Sequence, residues 1–423
     1  MNSNTSERDH LITDVTVMPM NGTAPIADGF VRVRDGRIDA IGKSDELESA
    51  ERARGRSLPG HAILPGLVNS HMHFHQHREH GPIGAAHRGP IALDALRSAR
   101  TALNCLREGV TTGRELGHDD GVRLTLRQAT REGLIVGPRI VSAGVAIGFA
   151  FGHASFVAEN ISTLDELVSL IRREIQYGAD FIKIIASNED LPNPPGDELA
   201  VPWFSRKAIE VAVETAHGAG VPIAAHANGR TTLEWVIDAG VDSIEHGIYI
   251  DDDLASGMRE KGIVLVPTLS GYFENSRKFW DRAWQPRYEQ LWFAHRESIS
   301  AAVSAGVSIA TGVDTIGTIA TEVEILRKFG GMDALQSLEA ATIAGARLVG
   351  LDEQIGTIDV GKVADLVVVA GDPVQDSAAL FDTVETYLGG ARFTREELDR
   401  FVPPVDRFID RWHLPAHRCF PER

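Results

Sequence analysis

The sequence predicts an α/β fold, a (β/α)8 barrel of the TIM type with a small β-sandwich domain built from both ends of the chain. Through the middle of the 423-residue chain, short apolar strands alternate with amphipathic helices. Eight such units follow one another, which favours a closed barrel over an open doubly wound sheet. Both ends of the chain are rich in strand-forming residues, with glycines at the turns.

The two terminal segments predict the smaller domain. Residues 11–62 alternate apolar and polar side chains, and Asp35-Gly36 predicts a type I′ hairpin turn because this turn needs positive φ angles. Residues 356–373 again predict strands separated by glycines. We therefore expect three segments: 1–62, the first part of the β-sandwich; 63–350, the barrel; and 351–423, the second part of the β-sandwich with a tail.

The barrel strands indicate where the chemistry lies. Their predicted bounds are 63–69, 110–116, 139–147, 181–186, 222–227, 243–247, 263–268 and 308–314. Active sites of such barrels lie at the carboxyl ends of the strands, and unusual polar residues occur there in this chain. Residues at i and i+2 of a strand point to one face, so His71 and His73 can bind one metal ion. Later strands add Lys183, His226, His246 and Asp314.

Composition excludes several partners. The chain has 42 basic and 59 acidic residues, a net charge of −17, which repels phosphate backbones and anionic membrane surfaces. No signal peptide and no apolar run of about 18 residues is evident. Cys105 and Cys419 form no disulfide or metal motif. We expect a cytoplasmic enzyme that binds neither nucleic acid nor membranes.

Five segments resemble the amidohydrolase superfamily, and more narrowly its prolidase-like, imidazolonepropionase-related branch: LPGLVNSHMH, FIKIIAS, AAHANG, SIEHGIYID and ATGVD. The resemblance runs from about residue 11 to about residue 375. It implies two divalent metal ions, which we expect to be zinc, although cobalt, manganese or iron also suit such ligands. The implied ligands are His71, His73 and Asp314 for the first ion, His226 and His246 for the second, and carboxylated Lys183 as the bridge.

The chemistry of Lys183 agrees with this implication. It lies between isoleucines, and apolar surroundings favour the neutral amine, which can capture carbon dioxide as a carbamate. The resemblance also implies a hydroxide activated by the metals, with Asp314 as general base and then acid. His153 and Tyr249 match positions at which prolidase-like relatives contact the substrate or its tetrahedral intermediate, so we assign them oxyanion stabilisation. His75, His77 and His80 are not predicted ligands.

The sequence favours cleavage of an amide-type bond. Deaminases and imidazolone hydrolases usually place a glutamate about three residues beyond the fifth-strand histidine, whereas Ala-Asn-Gly follows His226 here. Relatives act on Xaa-Pro dipeptides, N-acyl amino acids and aryl amides of the ochratoxin kind. A deaminase or cyclic imine hydrolase is the alternative enzyme, and a metal-free assembly protein is the non-enzymatic one. The sequence departs from the family pattern at Arg114-Glu115 and at residues 148–156. These departures bear on the identity of the substrate and not on the metal ligands.

Two further segments bear on the substrate and on assembly. Residues 272–293 contain eight aromatic side chains, which predict either a wall over a bulky aromatic amide or a subunit interface of a homo-oligomer. The acidic, proline-rich residues 187–199 predict a rim loop over the site.

Overall fold

The structure is a computed structural model that describes residues 8–76, 91–117, 122–154, 158–189, 191, 199–278, 285–315 and 317–402. In chain order, the strands are β1 (His10–Val17), β2 (Ile26–Arg34), β3 (Arg37–Lys43), β4 (Arg56–Ser57), β5 (His61–Pro65), β6 (Leu67–Met72), β7 (Val110–Glu115), β8 (Arg139–Ser142), β9 (Ala146–Phe149), β10 (Ala158–Ile161), β11 (Ile182–Ile185), β12 (Ser187–Asn188), β13 (Val201–Pro202), β14 (Ile223–Ala227), β15 (Ser243–His246), β16 (Val264–Val266), β17 (Leu366–Ala370), β18 (Thr383–Leu388) and β19 (Ala391–Thr394).

The helices lie mainly between the central strands. They are α1 (Ser49–Arg52), α2 (Ile91–Arg107), α3 (Val122–Arg131), α4 (Leu164–Gln176), α5 (Arg206–Gly218), α6 (Arg230–Ala239), α7 (Asp252–Lys261), α8 (Leu269–Lys278), α9 (Gln285–Ala305), α10 (Ile319–Phe329), α11 (Ala334–Ala340), α12 (Ile343–Leu348) and α13 (Arg395–Phe401). Short 3-10 helices cover Ser44–Glu46, Phe74–Gln76 and Ser377–Phe381. Within the described part of the chain, no helix combines the length and apolar character needed to cross a membrane.

The central strands run parallel around a ring. β6, β7 and β8 form one group, and β9, β11, β14, β15 and β16 follow in a second group that also carries β10 at its edge. The segment 308–314 closes the ring through two parallel bridges, from Ile309 to Leu265 and from Asp314 to Met72. The predicted barrel is therefore present, although its eighth position consists of isolated bridges instead of a continuous strand.

Two predicted strands are divided differently in the structure. The predicted strand 63–69 is split at Gly66, because β5 belongs to the terminal sheet and β6 to the barrel. A Cβ atom at Gly66 would collide with the Thr111 side chain, so glycine permits the close approach there. The predicted strand 139–147 is interrupted at Gly144, which has a φ of 72°, and its halves pair with β7 and β11.

The terminal sheet takes strands from both ends of the chain. Its order is β19-β18-β17-β5-β1-β2-β3, with β4 beside β1. The predicted hairpin turn is confirmed, since Asp35 and Gly36 between β2 and β3 have φ angles of 49° and 74°. Alternate residues of β5 and β17 face opposite sides of the sheet. Ile63 and Val368 pack into the core of the terminal sheet, whereas Leu64 and Val367 pack against the barrel. The β-sandwich description and the domain boundaries remain predictions.

The alternation of side chains along the barrel strands places the polar residues inside. Ile182, Ile184 and Ile244 pack outward into the core that the strands share with the surrounding helices. Lys183 lies between two of these residues and therefore points to the inner face of the barrel. This arrangement brings the polar ends of β6, β11, β14 and β15 toward one region.

Candidate metal centre

The predicted ligands converge at the carboxyl ends of the barrel strands. His71 and His73 lie at the end of β6, and His226 and His246 lie at the ends of β14 and β15. These four imidazoles and the Lys183 side chain are buried. The Asp314 side chain, which is 30% exposed, completes the set from the segment that closes the ring. Neighbouring rings lie close together: the centroid separation is 5.0 Å for His71 and His246 and 4.5 Å for His226 and His246.

His71, His73 and Asp314 form a group that could hold one cation. The Oδ1 atom of Asp314 lies 3.9 Å from Nε2 of His71 and 3.6 Å from Nε2 of His73. The ligand atoms of the three residues all lie within 4.8 Å of one another. Two imidazoles and a carboxylate are ligands that zinc and related divalent ions bind in proteins.

Hydrogen bonds fix the orientation of these imidazoles. The Nδ1 atom of His71 lies 2.7 Å from Oε2 of Glu245. The Nδ1 atom of His73 lies 3.0 Å from the Gly117 carbonyl oxygen. The Nδ1 atom of His246 lies 2.6 Å from Oγ1 of Thr268. Thr268 donates its own proton to the Pro267 carbonyl, so it accepts from the histidine. In each ring Nδ1 therefore carries the proton and Nε2 is left for a metal ion, as metal-binding histidines require.

A buried ion pair supports His71. The Arg114 guanidinium lies 2.9 Å from Glu245 Oε1, and Ser243 Oγ donates to the same oxygen at 2.8 Å. Burial would raise the pKa of Glu245, but Arg114 and His71 lower that pKa below its ordinary value. Glu245 therefore stays an acceptor for His71. The sequence analysis missed this role, although a glutamate inside an apolar strand is a signal for it.

Glu115 explains one departure from the family pattern. Its Oε2 accepts a hydrogen bond from the Phe74 backbone at 2.8 Å, and its Oε1 lies 3.4 Å from Nδ1 of His73. The residue pair Arg114-Glu115 thus supports the two histidines of β6, Arg114 through Glu245 and Glu115 directly. The sequence relates this pair to the substrate, whereas the structure places both side chains against the supports of the metal-site histidines.

A second group surrounds His226. Its Nε2 atom lies 2.9 Å from Oε2 of Glu189, and Nδ1 of His153 lies 3.7 Å from the same oxygen. The rings of His153 and His226 stack with centroids 4.8 Å apart. Burial would raise the pKa of Glu189, but the two histidines lower it below its ordinary value. Sequence analysis placed Glu189 in an acidic rim loop and gave no signal for this contact.

The Lys183 side chain ends in an orphaned nitrogen, which means a buried nitrogen that lacks a hydrogen-bond partner among the described residues. Burial lowers the pKa of Lys183 to about 8, so part of it is a neutral amine at neutral pH. A buried nitrogen without a partner costs free energy, so Lys183 marks a place in the site that a bound group could fill.

The protonation states of the imidazoles suit metal binding. Burial lowers the pKa of His71 to about 4 and the pKa of His246 well below its ordinary value. Burial likewise lowers the pKa of His226. For His73 burial also lowers the pKa, but the Glu115 carboxylate outweighs it and raises the pKa overall. Three of the four rings are thus neutral near pH 7, the form that binds metal.

Backbone strain is concentrated at the same strand ends. His246, Tyr249, Thr268 and Asp314 have φ angles of 70°, 78°, 50° and 58°. Positive φ angles are uncommon outside glycine and cost free energy that the surrounding structure must supply. Such residues cluster at functional sites, which agrees with the position of the candidate ligands.

Tyr249 and the aromatic segment have mixed positions. The Tyr249 hydroxyl accepts a hydrogen bond from the Leu199 backbone at 3.1 Å. The Tyr272 ring contacts His246 with centroids 5.5 Å apart, so this aromatic residue lies at the site. Phe273 and Trp292 are buried in the core against Phe329.

The remaining predicted positions lie partly beyond the description. His75 is buried near His73, with ring centroids 6.2 Å apart. The following lie outside the described residues: His77, His80, Phe279, Trp280, Trp284, the Tyr288 side chain, Cys419 and most of the rim loop 187–199.

The parallel barrel and the buried histidine and carboxylate groups at its strand ends define the class of metal-dependent barrel enzymes. Comparison with known proteins narrows this class. The amidohydrolase family model matches residues 62–390. The ochratoxinase of Aspergillus niger is 28% identical over 350 residues, which cover 74% of this chain and 71% of that enzyme.

Two further proteins are similar over most of their length. The crystal structure of an Xaa-Pro dipeptidase with bound methionine is similar to this chain, with a TM-score of 0.80 and 26% identity. The match covers 91% of this chain and 100% of the dipeptidase chain. The imidazolonepropionase of Symbiobacterium thermophilum is 23% identical over 378 residues, or 83% of this chain and 86% of that enzyme. The chain therefore belongs to the amidohydrolase family and is a hydrolase that acts on carbon–nitrogen bonds of small molecules.

Proposed function

We propose that the protein is a binuclear metal hydrolase that cleaves the amide-type bond of an N-acyl amino acid, an Xaa-Pro dipeptide or a bulky aromatic amide. The observation that carries this proposal is the convergence of four imidazoles and Asp314 at the strand ends that also hold the orphaned Lys183 nitrogen. Family membership agrees with it, since the family is metal-dependent.

The residues divide into two ligand groups joined by one bridge. His71, His73 and Asp314 would hold one ion, His226 and His246 the other, and carboxylated Lys183 would bridge them. Zinc suits imidazole and carboxylate ligands, and the neutral imidazoles and the orphaned nitrogen fit both ions and carbamate. Two divalent cations polarise a scissile carbonyl and lower the pKa of a bound water molecule.

The side chains of the chain supply proton transfer and orientation. Asp314 is partly exposed at the mouth of the site, so its carboxylate can accept the proton of the attacking water and deliver it to the leaving nitrogen. His153 would donate to the developing oxyanion, and such a donor contributes on the order of 3 kcal/mol. Tyr249, whose hydroxyl accepts a hydrogen bond from the Leu199 backbone at 3.1 Å, is assigned to the same oxyanion.

Substrate class is supported by the relatives and by one aromatic contact. The names of the similar proteins indicate ochratoxin and an Xaa-Pro dipeptide as substrates of those proteins. Tyr272 beside His246 offers an aromatic surface to a bulky substrate. A second candidate, a deaminase or cyclic imine hydrolase, is favoured by the carboxylate that Glu189 places beside His226.

The test combines metal analysis with a substrate screen. We expect close to two divalent ions per chain and loss of activity with a chelator. The screen would compare N-acyl amino acids, Xaa-Pro dipeptides, aryl amides and cyclic imines at equal concentrations. Active protein with only trace metal would refute the binuclear proposal, and turnover of cyclic imines alone would favour the second candidate.

A further inference from the structure

The two oxygens of the Glu189 carboxylate have different hydrogen-bond partners. Oε1 accepts hydrogen bonds from Ser187 Oγ at 2.5 Å and from Asn228 Nδ2 at 3.0 Å. Oε2 faces the two imidazoles, at 2.9 Å from Nε2 of His226 and 3.7 Å from Nδ1 of His153. The residue is only 6% exposed. The carboxylate is therefore fixed on one side by neutral donors and aimed on the other at histidine nitrogens.

The backbone around Glu189 is also held in place. β12, which ends one residue earlier, pairs with β13 in an antiparallel ladder. Arg287 of α9 donates to the carbonyl of Glu189 and, at 2.8 and 2.9 Å, to those of Leu191 and Leu199. Because both the side chain and the main chain are anchored, the carboxylate is preorganised.

An ionised carboxylate can only accept, so Nε2 of His226 must carry the proton that it shares with Glu189. The other ring nitrogen, Nδ1, is then left with a lone pair for a metal ion. His71, His73 and His246 have the opposite arrangement, with the proton on Nδ1. The identity of the metal-binding nitrogen of His226 thus depends on one side chain.

The same oxygen also addresses His153. Nδ1 of His153 lies 3.7 Å from this oxygen, and the His153 ring is stacked on the His226 ring with centroids 4.8 Å apart. One carboxylate thus orients a metal ligand and the residue assigned to the scissile carbonyl oxygen.

We propose that Glu189 is the positioning residue that fixes His226 for metal binding and His153 for the carbonyl oxygen of the substrate. This inference rests on the proposed function. It couples the second metal site to the substrate-binding histidine through one side chain.

The test uses Glu189→Ala and Glu189→Gln, with the exposed Glu234→Gln on α6 as the control. Metal content after dialysis and metal affinity by chelator competition are measured for each. Glu189→Ala is expected to bind the second zinc ion about 10- to 100-fold more weakly and to leave the first unchanged. Glu189→Gln retains an amide oxygen that can accept from His226, so it should recover part of the affinity.

A double-mutant cycle tests the second contact. In enzyme loaded with excess zinc, the loss of kcat caused by Glu189→Ala is expected to be at least about twofold smaller when His153 is already alanine. Independent effects of the two substitutions would overturn the link to His153. If Glu189→Ala does not fold, as judged by circular dichroism, the same cycle is run with Glu189→Gln.

Three results would contradict the role of Glu189. The first is that both variants bind two ions as the wild-type enzyme does. The second is that Glu189→Gln loses the second ion as fully as Glu189→Ala, which would make Glu189 a direct ligand. The third is that the kcat losses of Glu189→Ala and His153→Ala are additive. A wild-type enzyme without a second ion would instead contradict the proposed function, so the two failures are distinguishable.

Discussion

At the scale of single residues, Asp314 combines two duties. Its carboxylate lies close to the Nε2 atoms of His71 and His73, and its side chain remains partly exposed. A residue in this place can bind an ion with one oxygen and exchange a proton with the other. Burial would raise the pKa of Asp314, but His71 and His73 lower it below its ordinary value, so the carboxylate form prevails.

Asp314→Asn separates the two duties. Asparagine keeps one oxygen for the metal but cannot take up a proton. We expect kcat to fall by at least about 100-fold with a much smaller change in KM, because general acid–base help is worth about 10² to 10⁴ in rate. Steady-state kinetics with metal analysis measures this, and Asp253→Asn on exposed α7 is the control. A variant that keeps both ions and more than about a tenth of kcat would move proton transfer to His153.

Lys183→Ala tests the bridge. The substitution removes the orphaned nitrogen and the carbamate it would carry, so activity should be abolished and the metal content should fall. Short carboxylic acids such as acetate should restore part of both, because a small carboxylate can occupy the space between two cations. The exposed Lys207→Ala is the control. Near-normal activity of Lys183→Ala without added acid would refute the bridge.

The residues differ in how far the sequence could predict them. The six candidate ligands were predictable because their chemistry is unusual at the ends of apolar strands. Their supporting partners were not, since Glu245 is 174 residues from His71 and Glu189 is 37 residues from His226. Such contacts depend on the register of distant strands, which one sequence does not specify.

At the scale of elements, a buried carboxyl group holds the start of α8. Glu322 on α10 accepts hydrogen bonds from the backbone amides of Leu269 at 2.8 Å and Ser270 at 2.7 Å. These amides have no partner inside their own helix. Burial raises the pKa of Glu322 from 4.5 to about 7. The helix that carries Tyr272 is therefore tied to a titrating group.

This shift predicts a pH dependence of stability. Between pH 4.5 and about pH 7 the unfolded chain loses the Glu322 proton before the folded protein does, so the contribution of Glu322 to stability falls as the pH rises. The unfolding free energy of the wild type relative to Glu322→Gln should fall by up to about 3 kcal/mol over this window. Thermal unfolding of metal-loaded enzyme from pH 5 to 8 measures it, with exposed Glu353→Gln as control. A constant difference would contradict the shift.

Element boundaries were less predictable than element types. The alternation of strands and helices was visible because its periodicities are strong. The division at Gly66 was not, since residues 63–69 form one apolar run that continues from the sheet into the barrel. The eighth strand position was predicted as continuous, but the structure has only two bridges there.

At the scale of the whole molecule, metal binding and stability are linked. Buried neutral imidazoles and an orphaned lysine nitrogen lie together at the end of the barrel. Ions that bind only the folded chain add RT ln(1 + [L]/Kd) to its stability, about 2.7 kcal/mol at a concentration of 100 Kd.

Metal removal should therefore lower the melting temperature. Enzyme treated with a chelator and dialysed should melt at least about 2 °C below the zinc-loaded enzyme. Differential scanning calorimetry before and after zinc is returned measures this change. Magnesium, an ion that imidazoles bind poorly, serves as the control. Identical melting curves for both forms would show that the site contributes nothing to stability.

The pairing of β5 with β17 has a consequence for synthesis of the chain. β5 is complete at residue 65, yet its antiparallel neighbour is residues 366–370. While the ribosome makes the intervening chain, one edge of this apolar strand has no hydrogen-bonding partner. The sheet can therefore be completed only after residue 370 has emerged, and until then this strand edge is open to pairing with other chains.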